Sequence, residues 1–408
     1  MFKILVIGIG ENVLSRRQKE LICGCGTVFG TQRFGTLAEE AGVAAEKFLP
    51  ITPLADSLGA MAKLLEHETV AVLCSGDPLF YGIGKKLLDR FPPQQVEFYP
   101  ALSSVQLACS RFKIPWDDAR FVSLHGRSPG HLPTVLLRHP KTIIFTDRAN
   151  SPDKIAARLL EYFQTIEDTD YGARITAMVV ADIGLATENI FTGSLQQCVD
   201  TTFSPLNIFC LLLPQQPQTD VPVCSLGLGE ETIAHSRGLI TKNEVRAATL
   251  HTLQLPTRGV MWDIGAGSGS VSIEAARANP DLTVYAVEHN RTEIENIKSN
   301  IRKFRCFNVV PVSGRAPDAL TSLPSPDRIF VGGSGGSLQQ LIEIAKDILP
   351  QTGRIVVNGV IAKTVESAPR LMRANNFRVS TATVAVSRTD SEGNTQQFNP
   401  ITIITGTR

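Results

Sequence analysis

Three things are scarce in this 408-residue chain: long apolar runs, clustered cysteines and an excess of charge of either sign. No apolar run approaches the roughly 20 residues that a helix needs to cross a bilayer, so no membrane span is expected. Lys and Arg number 40 against 39 Asp and Glu, a formal net charge of +1, and no Lys/Arg run exceeds two residues. Nothing in that balance recruits nucleic acid or an anionic membrane surface. Of eight cysteines only Cys23 and Cys25 lie close together, and no C-x-x-C pair exists. A metal site is therefore not expected, and reduced thiols in a cytoplasmic setting are the default. The N-terminal run from Met1 to Gly8 leads straight into Gly8-Ile9-Gly10 without a cleavage pattern, and reads as a first strand rather than a signal peptide. What is present is 43% hydrophobic and 19% charged residues, the balance of a globular protein, at a length that suits two domains.

The most informative stretch lies near the middle, from Val260 to Ala276. A short apolar run ending in Trp262-Asp263-Ile264 passes through Gly265-Ala266-Gly267-Ser268-Gly269 and leaves as a helical pattern with Val271, Ile273, Ala275 and Ala276. That predicts a buried strand, a tight turn and a helix start, the opening of a doubly wound α/β unit. A dinucleotide fingerprint wants its third glycine three positions after the second, and that position is Ser270. Asp263 adds a carboxylate where a pyrophosphate would lie, which repels phosphate and suits a cation. The next strand, Thr283 to Glu288, ends in a second carboxylate placed to hold a ribose diol. A ligand with an ammonium, a sulfonium, a ribose and no phosphate fits both, and S-adenosyl-L-methionine is such a ligand. A dehydrogenase reading fails on Ser270 and Asp263.

In the first half, the strand Thr69 to Cys74 exits through Ser75-Gly76-Asp77-Pro78-Leu79-Phe80-Tyr81-Gly82-Ile83-Gly84. Asp77 is expected at the carboxyl edge of a sheet, where open α/β folds bind ligands, or else as a helix-capping turn residue. Val96 to Tyr99 reads as a strand, followed by Pro100-Ala101-Leu102-Ser103-Ser104 at a helix mouth, where serines cap or contact a ligand. Phe121 to Leu124 ends in His125-Gly126-Arg127, a titratable and a cationic group that suit a carboxylate-rich substrate. Further strands are expected over 142–145, 175–181 and 208–213. Residues 214–225, polar and proline-containing, are the expected linker between domains 1–213 and 226–408.

Beyond Glu288 the pattern gives a helix over 292–304, a strand over 308–312 and a loop Ser313-Gly314-Arg315-Ala316-Pro317 that would flank an adenine. A strand over 328–331 exits through Gly332-Gly333-Ser334-Gly335-Gly336, which leaves room for a large flat substrate. The Asn/Asp-Pro-Pro-aromatic motif typical of nucleic-acid adenine methylases is absent there. Thr241 and Lys242 precede the first strand of this half; they are expected to fold over the cofactor, with an ordinary solvated lysine as the alternative for Lys242.

Residues 75–84, 100–109 and Ser123-Leu124-His125-Gly126-Arg127, in this order, resemble the tetrapyrrole methylase family, in the branch acting late in corrin-ring synthesis. Gly238-Leu239-Ile240-Thr241-Lys242-Asn243-Glu244-Val245-Arg246-Ala247, the glycine loop and Pro326-Asp327-Arg328-Ile329-Phe330-Val331-Gly332-Gly333-Ser334 are similar to the decarboxylating precorrin methyltransferase domain. The resemblance implies an α/β chain: a two-lobed tetrapyrrole methylase fold followed by a Rossmann-like S-adenosylmethionine-dependent methyltransferase domain. It implies methylation of a precorrin ring at carbons 5 and 15, in the first and second halves respectively, with loss of carbon dioxide from an acetate side chain in the second. Gly76, Asp77, Pro78, Leu79, Ser103 and Ser104 would then line one cofactor cleft, with His125 and Arg127 facing the ring's carboxylates. Asp263, Gly265, Ala266, Gly267, Gly269, Glu288, Gly314, Arg315 and Ala316 would line the other, with Thr241 and Lys242 near its reacting atoms. A tetrapyrrole partner and a homo-oligomer are expected, and no nucleic acid. Two positions depart from the family pattern. Gly8-Ile9-Gly10 continues as Glu11-Asn12 instead of Pro-Gly, so that loop is assigned no ligand, and Ala181-Asp182-Ile183-Gly184 stands where the family has Glu-Asn-Leu-Gly. The competing readings are a sensor that binds the cofactor through its second half alone, and action on the cobalt-containing ring.

Overall fold

Short apolar runs, several closed by a glycine-bearing turn, build three large sheets and one two-stranded hairpin in the computed structural model, which describes residues 2–215, 226–236 and 240–408. The chain divides into two compact units. The first holds Met1–Ser128, His139–Ala156 and Ile175–Leu213; the second holds Pro129–Arg138, Ala157–Arg174 and Pro214–Arg408. Most of the expected linker (216–225) and the start of the Gly238–Ala247 motif (237–239) lie outside the described residues.

In the first unit β1 (Ile4–Ile9), β2 (Thr27–Gly30), β3 (Phe48–Pro50), β4 (Val70–Ser75) and β5 (Val96–Tyr99) form a parallel sheet in the order β3-β2-β4-β1-β5. Every residue of β1 is buried, as a central parallel strand covered on both faces must be. Its side chains alternate between two cores: Leu5, Ile7 and Ile9 join Val28, Ala71 and Leu73, while Ile4 and Val6 join Phe29, Val70 and Val72. A second sheet contains β6 (Arg120–Ser123), β7 (Lys141–Phe145), β8 (Thr176–Ala181), β9 (Asn189–Ser194) and β10 (Asn207–Leu212), ordered β6-β7-β10-β8-β9. Only its β6/β7 pair is parallel. The helix Ser104–Phe112 packs Val105, Ala108, Cys109 and Phe112 onto Ile143, Met178, Val180 and Ile208 of this sheet.

The second unit is built on β11 (Arg258–Ile264), β12 (Asp281–Glu288), β13 (Val309–Ser313), β14 (Arg328–Val331), β15 (Arg354–Gly359), β16 (Arg378–Val384) and, after a small hairpin of β17 (Ser387–Thr389) and β18 (Thr395–Gln397), β19 (Ile401–Thr407). The order is β13-β12-β11-β14-β15-β19-β16, with β19 antiparallel to both its neighbours. The strand order reverses between β11 and β14, and their carboxyl ends are the switch point at which doubly wound sheets bind ligands. Residues 157–174 enter this unit because Tyr162, Phe163 and Tyr171 stack with Phe307, and the Tyr162 hydroxyl donates to the Val309 carbonyl at 3.0 Å. Among the described residues no helix is long and apolar enough to cross a membrane.

Candidate active site

In the first unit, three strand exits converge at the carboxyl edge of the parallel sheet. A Cβ on Gly8 would lie 1.8 Å from the Gly76 carbonyl oxygen, so β1 and the loop after β4 touch backbone to backbone. The Gly76 amide donates to Ile9 O at 2.7 Å, and the Ala101 amide, from the loop after β5, donates to Gly76 O at 3.2 Å. Gly76 has φ +61°, and a Cβ there would stand 2.7 Å from the Ser103 Cα. Gly76, Asp77, Pro78, Leu79, Ser103 and Ser104 are thereby brought to one edge. Asp77 Oδ1 accepts the Leu79 amide at 2.8 Å, holding the turn, while the Leu79 side chain is exposed. Ser103 is a helix cap: its hydroxyl accepts the Gln106 backbone amide at 3.2 Å, and its own backbone amide donates to Gln106 Oε1 at 2.9 Å.

His125 and Arg127 leave the second sheet of this unit, at the end of β6, and both are exposed. Their loop is held by two residues that carry no sequence motif. Asp147 Oδ2 accepts the Gly126 amide at 2.7 Å, and buried Asn150 donates to the Leu124 and Arg127 carbonyls at 3.1 and 3.0 Å. Those backbone donors, Gly126 first, hold the Asp147 carboxyl below its usual range. His125 Nδ1 lies 3.0 Å from the Thr146 carbonyl oxygen. The loop after Asp77 reaches the same sheet through Phe80, edge-on to Phe121 at 5.2 Å, and through the Tyr81 hydroxyl, 3.4 Å from the Phe121 carbonyl oxygen. At both departures from the family pattern the side chains have partners within the first unit. Glu11 pairs with Arg111 at 2.6 Å, and Arg111 also pairs with Glu188 at 2.7 Å, whose Oε2 accepts the Gly184 amide. Asp182 accepts the Ser204 and Thr187 hydroxyls at 2.7 and 3.1 Å.

In the second unit the glycine loop turns as its sequence requires: Gly265, Gly267 and Gly269 have φ +67°, +55° and +77°. A Cβ on Gly265 would meet the Gly333 carbonyl oxygen at 2.4 Å, so the exits of β11 and β14 are in backbone contact. Asp263 has no exposed surface. Its Oδ2 accepts the Ser272 hydroxyl at 2.6 Å, and its Oδ1 is buried without a hydrogen-bond partner among the described residues. Burial raises its pKa to about 7, with Ser272 opposing. Glu288, 8% exposed at its side chain, accepts the Gly267 amide at 3.0 Å on Oε2 and the His289 and Asn290 amides at 2.8 Å each on Oε1. The Gly314 amide donates to the Glu288 backbone carbonyl at 2.9 Å, which brings Gly314, Arg315 and Ala316 beside the end of β12. Lys242 does not stand free: its Nζ pairs with Glu230 at 2.8 Å and lies over the Phe398 ring. Arg388 shares Glu230 and also pairs with Glu244. Thr241 contributes its carbonyl to Arg246 at 2.9 Å.

Arg246 and Glu274 lie within the stretches 238–247 and 260–276 that the sequence marked, but nothing in the sequence gave either a role. They form an ion pair at 2.5 Å with side chains 1% and 4% exposed. Glu274 Oε1 also accepts the Gly227 and Leu228 amides at 2.6 and 2.7 Å, while Arg246 bonds the Leu228 carbonyl and Asn243 Oδ1. The pair fastens the segment before β11 to the helix after the glycine loop. Its members are 28 residues apart, and no spacing rule connects them.

The glycine-turned end of β11 and the Glu288 carboxylate at the end of β12 stand side by side at the carboxyl edge of the sheet, where this architecture binds ligands and an acidic residue holds a ribose diol. Comparison with known proteins gives this chemistry a lineage. Residues 4–199 match the family described as "Tetrapyrrole (Corrin/Porphyrin) Methylases", and residues 233–407 match "Precorrin methyltransferase domain". The chain is 33% identical over 367 residues to a precorrin-6Y C(5,15)-methyltransferase [decarboxylating] of Sinorhizobium sp, covering 88% of this chain and 84% of that one. It is 34% identical over 190 residues to a probable cobalt-precorrin-6B C(15)-methyltransferase (decarboxylating) of Pyrobaculum calidifontis, covering 45% of this chain and 97% of that one. A crystal structure of precorrin-6y C5,15-methyltransferase from Geobacter metallireducens is 40% identical, covers 45% of this chain and 98% of that one, and has a TM-score of 0.44. Matched over most of its length, the chain belongs to the precorrin-6Y C(5,15)-methyltransferase (decarboxylating) family.

Proposed function

We propose that the chain is an S-adenosyl-L-methionine-dependent C-methyltransferase that methylates a precorrin ring at carbons 5 and 15 and removes carbon dioxide from one acetate side chain. The observation that supports the cofactor assignment is the glycine-turned end of β11, where Gly265, Gly267 and Gly269 take positive φ and the Gly267 amide donates to the Glu288 carboxylate at the end of β12. Asp263, Gly265, Ala266, Gly267, Gly269, Glu288 and the loop Gly314-Arg315-Ala316 would hold the cofactor in the second half. Gly76 to Leu79 with Ser103 and Ser104 would hold it in the first. When bound, the cofactor supplies an electrophilic methyl group on a sulfonium.

The remaining work falls to positioning, which supplies much of the acceleration in such displacements. The acceptors are electron-rich ring carbons, so no strong base has to generate a nucleophile. His125 and Arg127 would hold the ring's carboxylates in the first half. In the second, the glycine exit of β14 leaves space for a flat ring, and the ring itself accepts the electrons released by decarboxylation. The shorter relative named for the C(15) reaction and decarboxylation alone supports assigning the two methylations to different halves. We place the boundary between these halves over 214–225, and assign the protein to the cytoplasm as a homo-oligomer without nucleic-acid partners.

Mass analysis of products formed from S-adenosylmethionine and either metal-free or cobalt-containing precursor tests the reading. The expected wild-type product gains two methyl groups and loses one carbon dioxide. Asp77→Ala is expected to block one methylation and spare decarboxylation, and Asp263→Ala the reverse. A doubly methylated, decarboxylated product formed at normal rate by Asp77→Ala would refute the two-site reading.

A further inference from the structure

At the carboxyl edge of the first sheet stands an arginine outside every motif considered so far. Arg33 follows β2 by three residues, and β2 lies beside β4 in register Phe29 to Val72, so the exits of the two strands are neighbours. The guanidinium Nη2 donates to the hydroxyl of Ser75, the residue directly before Gly76-Asp77. Its Cζ lies 4.6 Å from the centroid of the Phe34 ring, and Phe34 is itself buried in the core beneath the sheet. One face and one nitrogen of the fork are thus fixed, and the residue is solvent-accessible. A guanidinium has five N–H donors, and among the described residues only the Ser75 bond engages this one; no carboxylate lies within ion-pair distance of it. Arg111 in the same unit shows the opposite condition, with Glu11 and Glu188 both within 2.7 Å. Asp77, two residues beyond Ser75, forms no ion pair with Arg33 among the described residues; its Oδ1 accepts the Leu79 amide.

A planar fork that is oriented, accessible and without a counter-charge matches a carboxylate bidentately. We propose that Arg33 is a carboxylate-binding residue of the first unit's ligand edge, held in place by Ser75 and Phe34. The inference rests on the function proposed above, under which two ligands bring carboxylates to this edge: the acidic side chains of the ring and the amino-acid end of the cofactor.

The test uses the full-length chain with Arg33→Met, which keeps a long side chain without the charge, and Arg33→Lys, which keeps the charge without the fork. One arm measures affinity for S-adenosylmethionine alone by calorimetry. The other measures KM and kcat for the methylation that Asp77→Ala abolishes, using precorrin-6Y and mass detection. Loss of a charged hydrogen-bond pair predicts a fall of about 10- to 150-fold in Arg33→Met. A fall in cofactor affinity identifies the cofactor's carboxylate. A rise in KM at unchanged cofactor affinity identifies the ring's. Arg33→Lys is expected to recover part of either loss, with the unfolding midpoint of both variants unchanged. Arg33→Met within twofold of an active wild type in both arms overturns the proposal, as does a loss that tracks a lowered midpoint and is not relieved by lysine. A wild type that binds no cofactor and forms no methylated product would instead refute the underlying function.

Discussion

Replacing Asp263 with asparagine should stabilise the second unit, and increasingly so as the pH rises. Asp263 has no exposed surface, its Oδ1 has no hydrogen-bond partner among the described residues, and burial lifts its pKa from the usual 3.8 to about 7. The folded state therefore holds this proton more tightly than the unfolded chain does. The stability tied to the protonated group is fully present below about pH 4 and is lost as the pH rises through about 7. At about 1.4 kcal/mol per decade, the difference between the two pKa values corresponds to about 4 kcal/mol of penalty above neutrality. Asparagine keeps the shape, accepts the Ser272 hydroxyl and carries no charge. Its amide hydrogens, unpartnered in the place of Oδ1, return about 1–3 kcal/mol of that gain. Between about pH 5 and pH 8.5 the advantage of the variant should grow by about 2–3 kcal/mol. Urea unfolding of the full chain measures this, followed by the fluorescence of buried Trp262 in a Trp116→Phe background, since Trp262 and Trp116 are the two tryptophans. A difference between Asp263→Asn and its parent that is the same at both pH values, or that shrinks as the pH rises, would refute the reasoning.

The same edge supports two further expectations. Glu288→Ala should weaken S-adenosylmethionine binding by the second half by about 1.5–3 kcal/mol, roughly 10- to 150-fold by calorimetry; unchanged affinity in both it and Asp263→Ala would place the ligand elsewhere. Arg246→Met leaves the Glu274 carboxylate buried with two backbone amides as its remaining partners, and should lower stability by about 3–5 kcal/mol. Adding Glu274→Gln should restore much of that loss in the same unfolding measurement, and an equal loss in single and double variants would show that the ion pair is not its source.

Much of the candidate site was legible because it is written in local backbone chemistry. Three glycines within five residues after an apolar run marked a tight turn, and Gly265, Gly267 and Gly269 make it at positive φ. The exits of β4, β5, β6, β11 and β12 were all marked by the residues that end a strand and turn, and each carries the candidate group expected there. Boundaries moved by a residue or so, as with β13 over Val309–Ser313. The last third of the sheet was not readable: β15 to β19 follow without a motif, and nothing in the spacing of residues 354–407 says that β19 slots antiparallel between β15 and β16.

Which residues stand at strand ends was readable along the chain, since a glycine's φ, a strand's period and a helix cap depend on a few neighbours in sequence. What each group does there was decided by the tertiary structure. Ser103 became a cap through Gln106, Lys242 was taken up by Glu230, and Asp263 lost its water and with it the ordinary acidity of a carboxylate. The buried pair of Arg246 and Glu274, and the docking of Tyr162 on Val309 across 147 residues, exist only once distant segments meet. Ionisation, ion pairing and access depend on the charges and the water within a few ångströms of a group, and only the folded chain sets those distances.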